Sequence, residues 1–223
     1  MSNILIYLNQ LEQNNNREWY HAHKPEFQKA NEDFESLIRS LIFELGKTEP
    51  ALLHHQPKEL TFKIVRDTRY SHDKSPYNPT FRCHISPAGK LPIPVGYYLC
   101  VRPGNRSFLG GGLFADVFKD ATNMIRSSID SCPDEFKEII CSPDFPFKVK
   151  GTSLKNVPKE FSPDHPMAQY SKYKSWYIEH PIDDSLLENT DQFIAEAVTT
   201  FLKMQPFHDF LNHALRNFKM PQR

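Results

Sequence analysis

Apolar residues change their spacing along this chain of 223 residues, and that change limits the fold more than any single motif. Near the start, Phe27, Ala30, Phe34, Leu37, Ile38, Leu41 and Leu45 recur at steps of three and four. This is the stripe of an amphipathic helix, and it stops near Gly46. Near the end, Phe193, Ile194, Ala197, Val198, Phe201 and Leu202 repeat the pattern, and Pro206 starts a further helix with Phe210, Leu211, Ala214 and Phe218. Between them the period falls to two. Phe62, Ile64 and Arg66 alternate with Lys63, Val65 and Asp67, predicting a strand over 61–66; Phe81, Cys83 and Ile85 alternate with Arg82 and His84. Runs 95–102 and 106–114 flank Pro103, Gly104 and Asn105, a turn signal that predicts a β-hairpin, and 175–182 reads as one more strand. Strands grouped together, with helices at the ends, do not give the regular strand–helix alternation of a parallel sheet. The expected fold is α+β: a mainly antiparallel sheet, with helices from both chain ends packed on one face, in a single domain over 1–223.

The connecting stretches add detail. Ile4, Leu8 and Leu11 mark a short first helix that Asn14, Asn15 and Asn16 end or re-cap. Trp19 sits in a polar aromatic patch, where such a side chain anchors a helix start or stacks on a planar ligand. Gly110, Gly111 and Gly112 interrupt the second hairpin arm, which implies a bulge or a close backbone approach, and Asp116 can cap the helix that follows. That helix carries Val117, Ala121, Met124, Ile125 and Ile129, with Arg126 beside its stripe, and Pro133 opens a shorter one. The stretch 142–167 lacks periodicity and reads as a surface segment able to act as a flap.

Charge and composition exclude several functions. Lys plus Arg and Asp plus Glu are 27 each, so no global field recruits nucleic acid or an anionic membrane, and nucleic acid is disfavoured as a partner. No run approaches the roughly 20 apolar residues of a membrane span. Cys83, Cys100, Cys132 and Cys141 lie far apart, and residues 1–10 lack the pattern of a signal peptide. A reduced, cytoplasmic protein is expected. There is no H-E-x-x-H, no Cys pair at zinc spacing, no G-x-S-x-G elbow and no Walker loop, so no metal, cofactor or catalytic group is assigned.

The densest chemistry lies in the stretch TFKIVRDTRYSHDKSPY, from Thr61 to Tyr77. Beyond the alternating half come Arg66, Asp67, Arg69, Ser71, Asp73, Lys74 and Tyr77 on one charged loop. Guanidinium groups there can grip a phosphate or carboxylate by paired hydrogen bonds, with Asp67 or Asp73 as base or orienter. Equally, three bases and two acids this close can satisfy one another and bind nothing. Both readings stay open on the sequence.

This stretch resembles the signature of the domain of unknown function 2461 family, F-K-I-x-R-D-x-R-F-S-x-D-K-S-P-Y-K, except that Asn78 stands in place of the final lysine. The resemblance extends to Trp19 after its asparagines, to the glycine patch around Gly111, to a basic residue at Arg126 and to another near Lys174. It also covers Lys159, Asp164 and His165 in an element similar to P-K-G-aromatic-x-x-D-H-P, with Glu160 replacing the glycine. It implies a compact domain of helices and strands, and no activity. With His84 from the second strand, these residues complete the expected site for a small anionic ligand, phosphorylated molecules included. Whether the chain is an enzyme, and its oligomeric state, are left open. The competing expectation is a structural or interaction module whose charged loop is internally satisfied.

Overall fold

The computed structural model describes residues 2–114 and 118–221. Helices α1 (Ser2–Gln13), α2 (Arg17–Ala22), α3 (Lys24–Leu45) and α4 (Pro57–Leu60) precede strands β1 (Phe81–Ile85), β2 (Tyr97–Val101) and β3 (Ser107–Leu113). Then come α5 (Lys119–Ser131), α6 (Pro133–Cys141), α7 (Ala168–Ser171), β4 (Trp176–Ile182), α8 (Asp184–Glu188) and α9 (Thr190–Ala214). The strands form one antiparallel sheet in the order β1-β2-β3-β4, the α+β architecture that the change of period predicts. No helix among the described residues is long and apolar enough to cross a membrane. By packing density the chain divides into two compact units: Met1–Lys90 with Tyr98–Leu109 and Pro181–Thr199, and Leu91–Tyr97 with Gly110–His180 and Thr200–Arg223.

In the first unit, Ile4, Leu8 and Leu11 of α1 are fully buried, as is the α3 stripe from Ala30 to Leu45 apart from traces of exposure. Each buried Leu, Ile or Phe among them contributes about 1.5–3 kcal/mol by leaving water. Phe34 stacks on Phe81 of β1 with ring centroids 5.2 Å apart, which fixes α3 on the strand. The asparagine run both ends α1 and starts α2, because the Trp19 N–H donates to Asn16 Oδ1 at 2.9 Å. Trp19 itself stacks on His23 at 4.1 Å. The hairpin between β2 and β3 turns through Gly104 and Asn105, with φ of 81° and 56°. It is tied to α1 by Glu12, which accepts from Arg102 at 3.1 Å and from both terminal nitrogens of Arg106. Those bonds, above all from Arg106, hold the Glu12 carboxyl below its ordinary value.

The strand expected over 61–66 is not formed. Thr61 bridges Cys83 and Val65 bridges Tyr77 as isolated antiparallel pairs. Continuing the first register would set Val65 opposite Pro79 and give the Thr80 N–H to Ile64 O, but that N–H donates to Asn78 O at 2.7 Å. The pairing instead jumps by two residues, with Arg66 N–H donating to Pro76 O at 2.9 Å and Asn78 N–H to Ile64 O at 2.7 Å.

In the second unit, Phe201 of α9 packs on Tyr97 at 5.0 Å and Phe136 of α6 on Phe210 at 5.1 Å. Helix α9 runs unbroken through Pro206, where a new helix was expected. A proline forfeits one hydrogen bond in mid-helix, but Phe201, Met204, Phe207 and Leu211 are fully buried and carry a single stripe across it. Asp116, the expected cap of α5, and Val117, the expected start of its stripe, lie outside the described residues. The stretch 142–167 is no free flap. Phe145, Phe147 and Val149 are buried, Lys150 and Tyr177 exchange backbone hydrogen bonds at 2.7 and 3.0 Å, and Leu154 N–H donates to Lys172 O at 2.8 Å.

Candidate functional site

The displaced pairing of Ile64 with Asn78 shapes the loop between Arg66 and Tyr77, which folds back on its own root. At its foot Tyr77 is gripped by Asn15, whose side chain donates to Tyr77 O at 2.9 Å and accepts from Tyr77 N–H at 3.1 Å. Tyr20 stacks on the Tyr77 ring at 4.3 Å. The third asparagine of the first run thus caps a helix, while the second clamps the loop; sequence reading found only the capping.

Within the loop the charges pair with one another. Arg66 Nη1 donates to Asp73 and Nη2 to Ser71 Oγ at 3.3 Å. Arg69 makes a forked contact with Asp67, Nε to Oδ1 at 2.9 Å and Nη2 to Oδ2 at 2.6 Å. Lys74 Nζ donates to Thr68 O at 3.0 Å. Asp73 also accepts the Ser75 hydroxyl at 2.6 Å and its N–H at 2.9 Å. The Ser75 hydroxyl and then Arg66 hold the Asp73 carboxyl below its ordinary 3.8, and Arg69 does the same for Asp67. Because both folded values are depressed, these contacts are complete above the ordinary value and are lost as pH falls through the folded ones. The amide shifts of Ser75 and Arg69, which report on the two carboxylates, are therefore expected to hold steady through pH 3.8 and to titrate only at more acid pH. Midpoints at or above 3.8 would mean that the pairs do not persist in solution.

Beside the loop root lies a cleft of about 360 Å³. Lys58 of α4, Lys63 of the signature stretch and Lys90 line it, together with Tyr20, Phe62 and Ile64. Lys90 Nζ donates to Thr61 O at 3.3 Å, and among the described residues none of the three lysines is ion-paired. Glu35 is the only carboxylate of the lining and accepts from Asn31 at 2.8 Å. Phe62 carries Arg82 over its ring at 5.6 Å. Sequence reading missed this grouping, because Lys58, Lys63 and Lys90 come from a helix, a broken strand and a turn and share no local period.

The other expected residues lie elsewhere. His84 is buried in β1, 6 % exposed. The remainder belong to the second unit. Gly111 has no room for a side chain, since a Cβ would overlap the His208 ring and lie 3.0 Å from Gly96 O. Arg126 is 6 % exposed and donates to Ser171 O at 2.9 Å, Tyr173 O at 2.7 Å and Asn123 Oδ1 at 3.1 Å. Burial lowers its basicity, offset in part by Glu160. Lys174 follows that clamp, its carbonyl accepting from Thr122 Oγ1 at 3.4 Å. Lys159 and Asp164 are exposed. His165 approaches Asp130 rather than Asp164, at 4.0 Å, and its Nδ1 accepts from Met167 N–H at 3.1 Å. Among the described residues no three His, Cys, Asp or Glu side chains gather as a metal site.

The family described as conserved hypothetical protein (DUF2461) matches residues 3–210, and the chain belongs to it. No curated protein and no solved structure matches the chain.

Proposed function

We propose that this member of the family binds a small anionic molecule in the cleft beside the signature stretch. The observation that carries the reading is the meeting of Lys58, Lys63 and Lys90 in one concave lining without a carboxylate bonded to any of them. The sequence offered Arg66, Arg69 and Lys74 as the grip, but those groups are engaged within the loop. In this reading the loop is the frame. It fixes the direction of Lys63 and Phe62, while the lysines supply charge and Tyr20 with Phe62 an apolar wall. A phosphate or carboxylate bonded to an ammonium gains about 1.5–3 kcal/mol per contact, enough to hold a dianion against loss of its water. No histidine or cysteine lines the cleft, so the reading is one of binding rather than catalysis. The residues of the second unit take no part in it.

A nucleic-acid surface draws less support. Arg102 and Arg106 are occupied by Glu12, and the chain carries no net charge. Cys83, Cys132 and Cys141 carry thiols, and a reducing, cytoplasmic setting suits them.

Isothermal titration with inorganic pyrophosphate tests the reading. Lys63→Ala is expected to weaken binding about tenfold and the triple alanine variant of Lys58, Lys63 and Lys90 to abolish it, since about 1.4 kcal/mol per contact is a factor of ten. Lys74→Ala is expected to bind as the parent does. Binding retained in the triple variant, or absent from the parent, would overturn the reading.

A further inference from the structure

Phe43 on α3 is 62 % exposed, and Leu53, which packs over Gly46 one turn away, is 50 % exposed. Singly exposed apolar side chains are ordinary, but Phe43 also lines a groove of about 620 Å³. Phe43 from α3 and Ile194, Ala195 and Val198 from the first half of α9 form its apolar lining. Arg39 stands on the α3 wall and Asp191 on the α9 wall. Both are exposed, and among the described residues neither is ion-paired, with each other or with another group. Glu44, the remaining charge of the lining, is already held by Lys47 at 2.6 Å.

This set is self-complementary. A two-fold interface requires one patch to carry both a protrusion and a recess, and both signs of charge at positions that exchange partners. Phe43 is the protrusion, the groove the recess, and Arg39 and Asp191 are the two unmatched charges on opposite walls. A partner of a single charge sign would leave either Arg39 or Asp191 facing its like. We propose that this face docks against the same face of a second copy of the chain, each Phe43 entering the opposite groove and each Arg39 facing the partner's Asp191. The inference is independent of the anion cleft, which none of these residues lines.

Sedimentation velocity of the full chain over a wide concentration range tests it, with circular dichroism to verify folding of each variant. The parent is expected to dimerise reversibly. Phe43→Glu is expected to weaken the dimer about a hundredfold or more, as loss of a central aromatic anchor does. Arg39→Asp and Asp191→Arg singly are each expected to weaken it about tenfold, and together to restore it, because the exchanged pair meets again across the axis. A parent that stays monomeric throughout overturns the proposal. So does a dimer indifferent to Phe43→Glu, or single-charge losses that the double variant fails to recover.

Discussion

Gly112→Ala is expected to cost about 2–6 kcal/mol of stability or more. Gly112 lies in β3 with φ of 117°, a conformation that L side chains rarely adopt. A Cβ there would overlap the carbonyl oxygen of Trp176, lie 2.8 Å from Tyr177 Cα and 3.2 Å from a ring carbon of Phe207. Two of these neighbours are backbone of β4 and cannot swing aside as a flexible side chain does. Backbone strain of about 1–3 kcal/mol adds to an overpacking cost of about 1–3 kcal/mol or more, against a total stability of roughly 5–15 kcal/mol for a typical domain. Gly89→Ala is the matched control. It has φ of 72° but nearest atoms 3.7 Å away, so it incurs the strain without the overlap. Thermal unfolding of the two variants separates the contributions. A Gly112→Ala protein as stable as Gly89→Ala would show that β3 and β4 do not approach as described.

Arg126→Ala is expected to be the most destabilising removal of a charged side chain. The guanidinium makes three hydrogen bonds from a site only 6 % exposed, two of them to the carbonyls of Ser171 and Tyr173. Truncation leaves those carbonyls with an unmade bond at about 1–3 kcal/mol each and opens a space besides. A total of about 3–5 kcal/mol corresponds to a fall in melting temperature of roughly 6–20 °C for a chain of this size. Arg126→Lys is expected to recover only part, since one ammonium cannot reproduce the guanidinium fork. Urea unfolding measures both. A loss below about 1 kcal/mol for Arg126→Ala would mean that water replaces the guanidinium at both carbonyls.

How much of this was legible in the sequence depends on how local each cause is. The α3 stripe, the Gly104–Asn105 turn and the strand ending at Ile182 depend on neighbours within a few residues, and each is formed where its pattern predicts. The 61–66 strand fails because its register shifts across the pairing, where the Thr80 N–H turns to Asn78 O and the Asn78 N–H takes Ile64 O, and period alone carries no register. Pro206 misleads for the related reason that a buried stripe outweighs one lost hydrogen bond. The sequence names the charged groups of the signature loop but not their partners. Arg66 meets Asp73 and Asp67 meets Arg69, so the internally satisfied arrangement, one of the two readings left open, describes the loop itself. The cleft lysines were illegible because Lys58, Lys63 and Lys90 meet only after the chain has folded.

The binding reading stands or falls on where an anion touches the chain, and a two-dimensional amide NMR titration of the full chain with inorganic pyrophosphate reads this directly. Saturable shifts are expected at Lys58, at Thr61 through Ile64 and at Lys90, with the amides of Arg69 through Lys74 nearly still. Shifts concentrated on Arg69 through Lys74, or none at millimolar pyrophosphate, would contradict it.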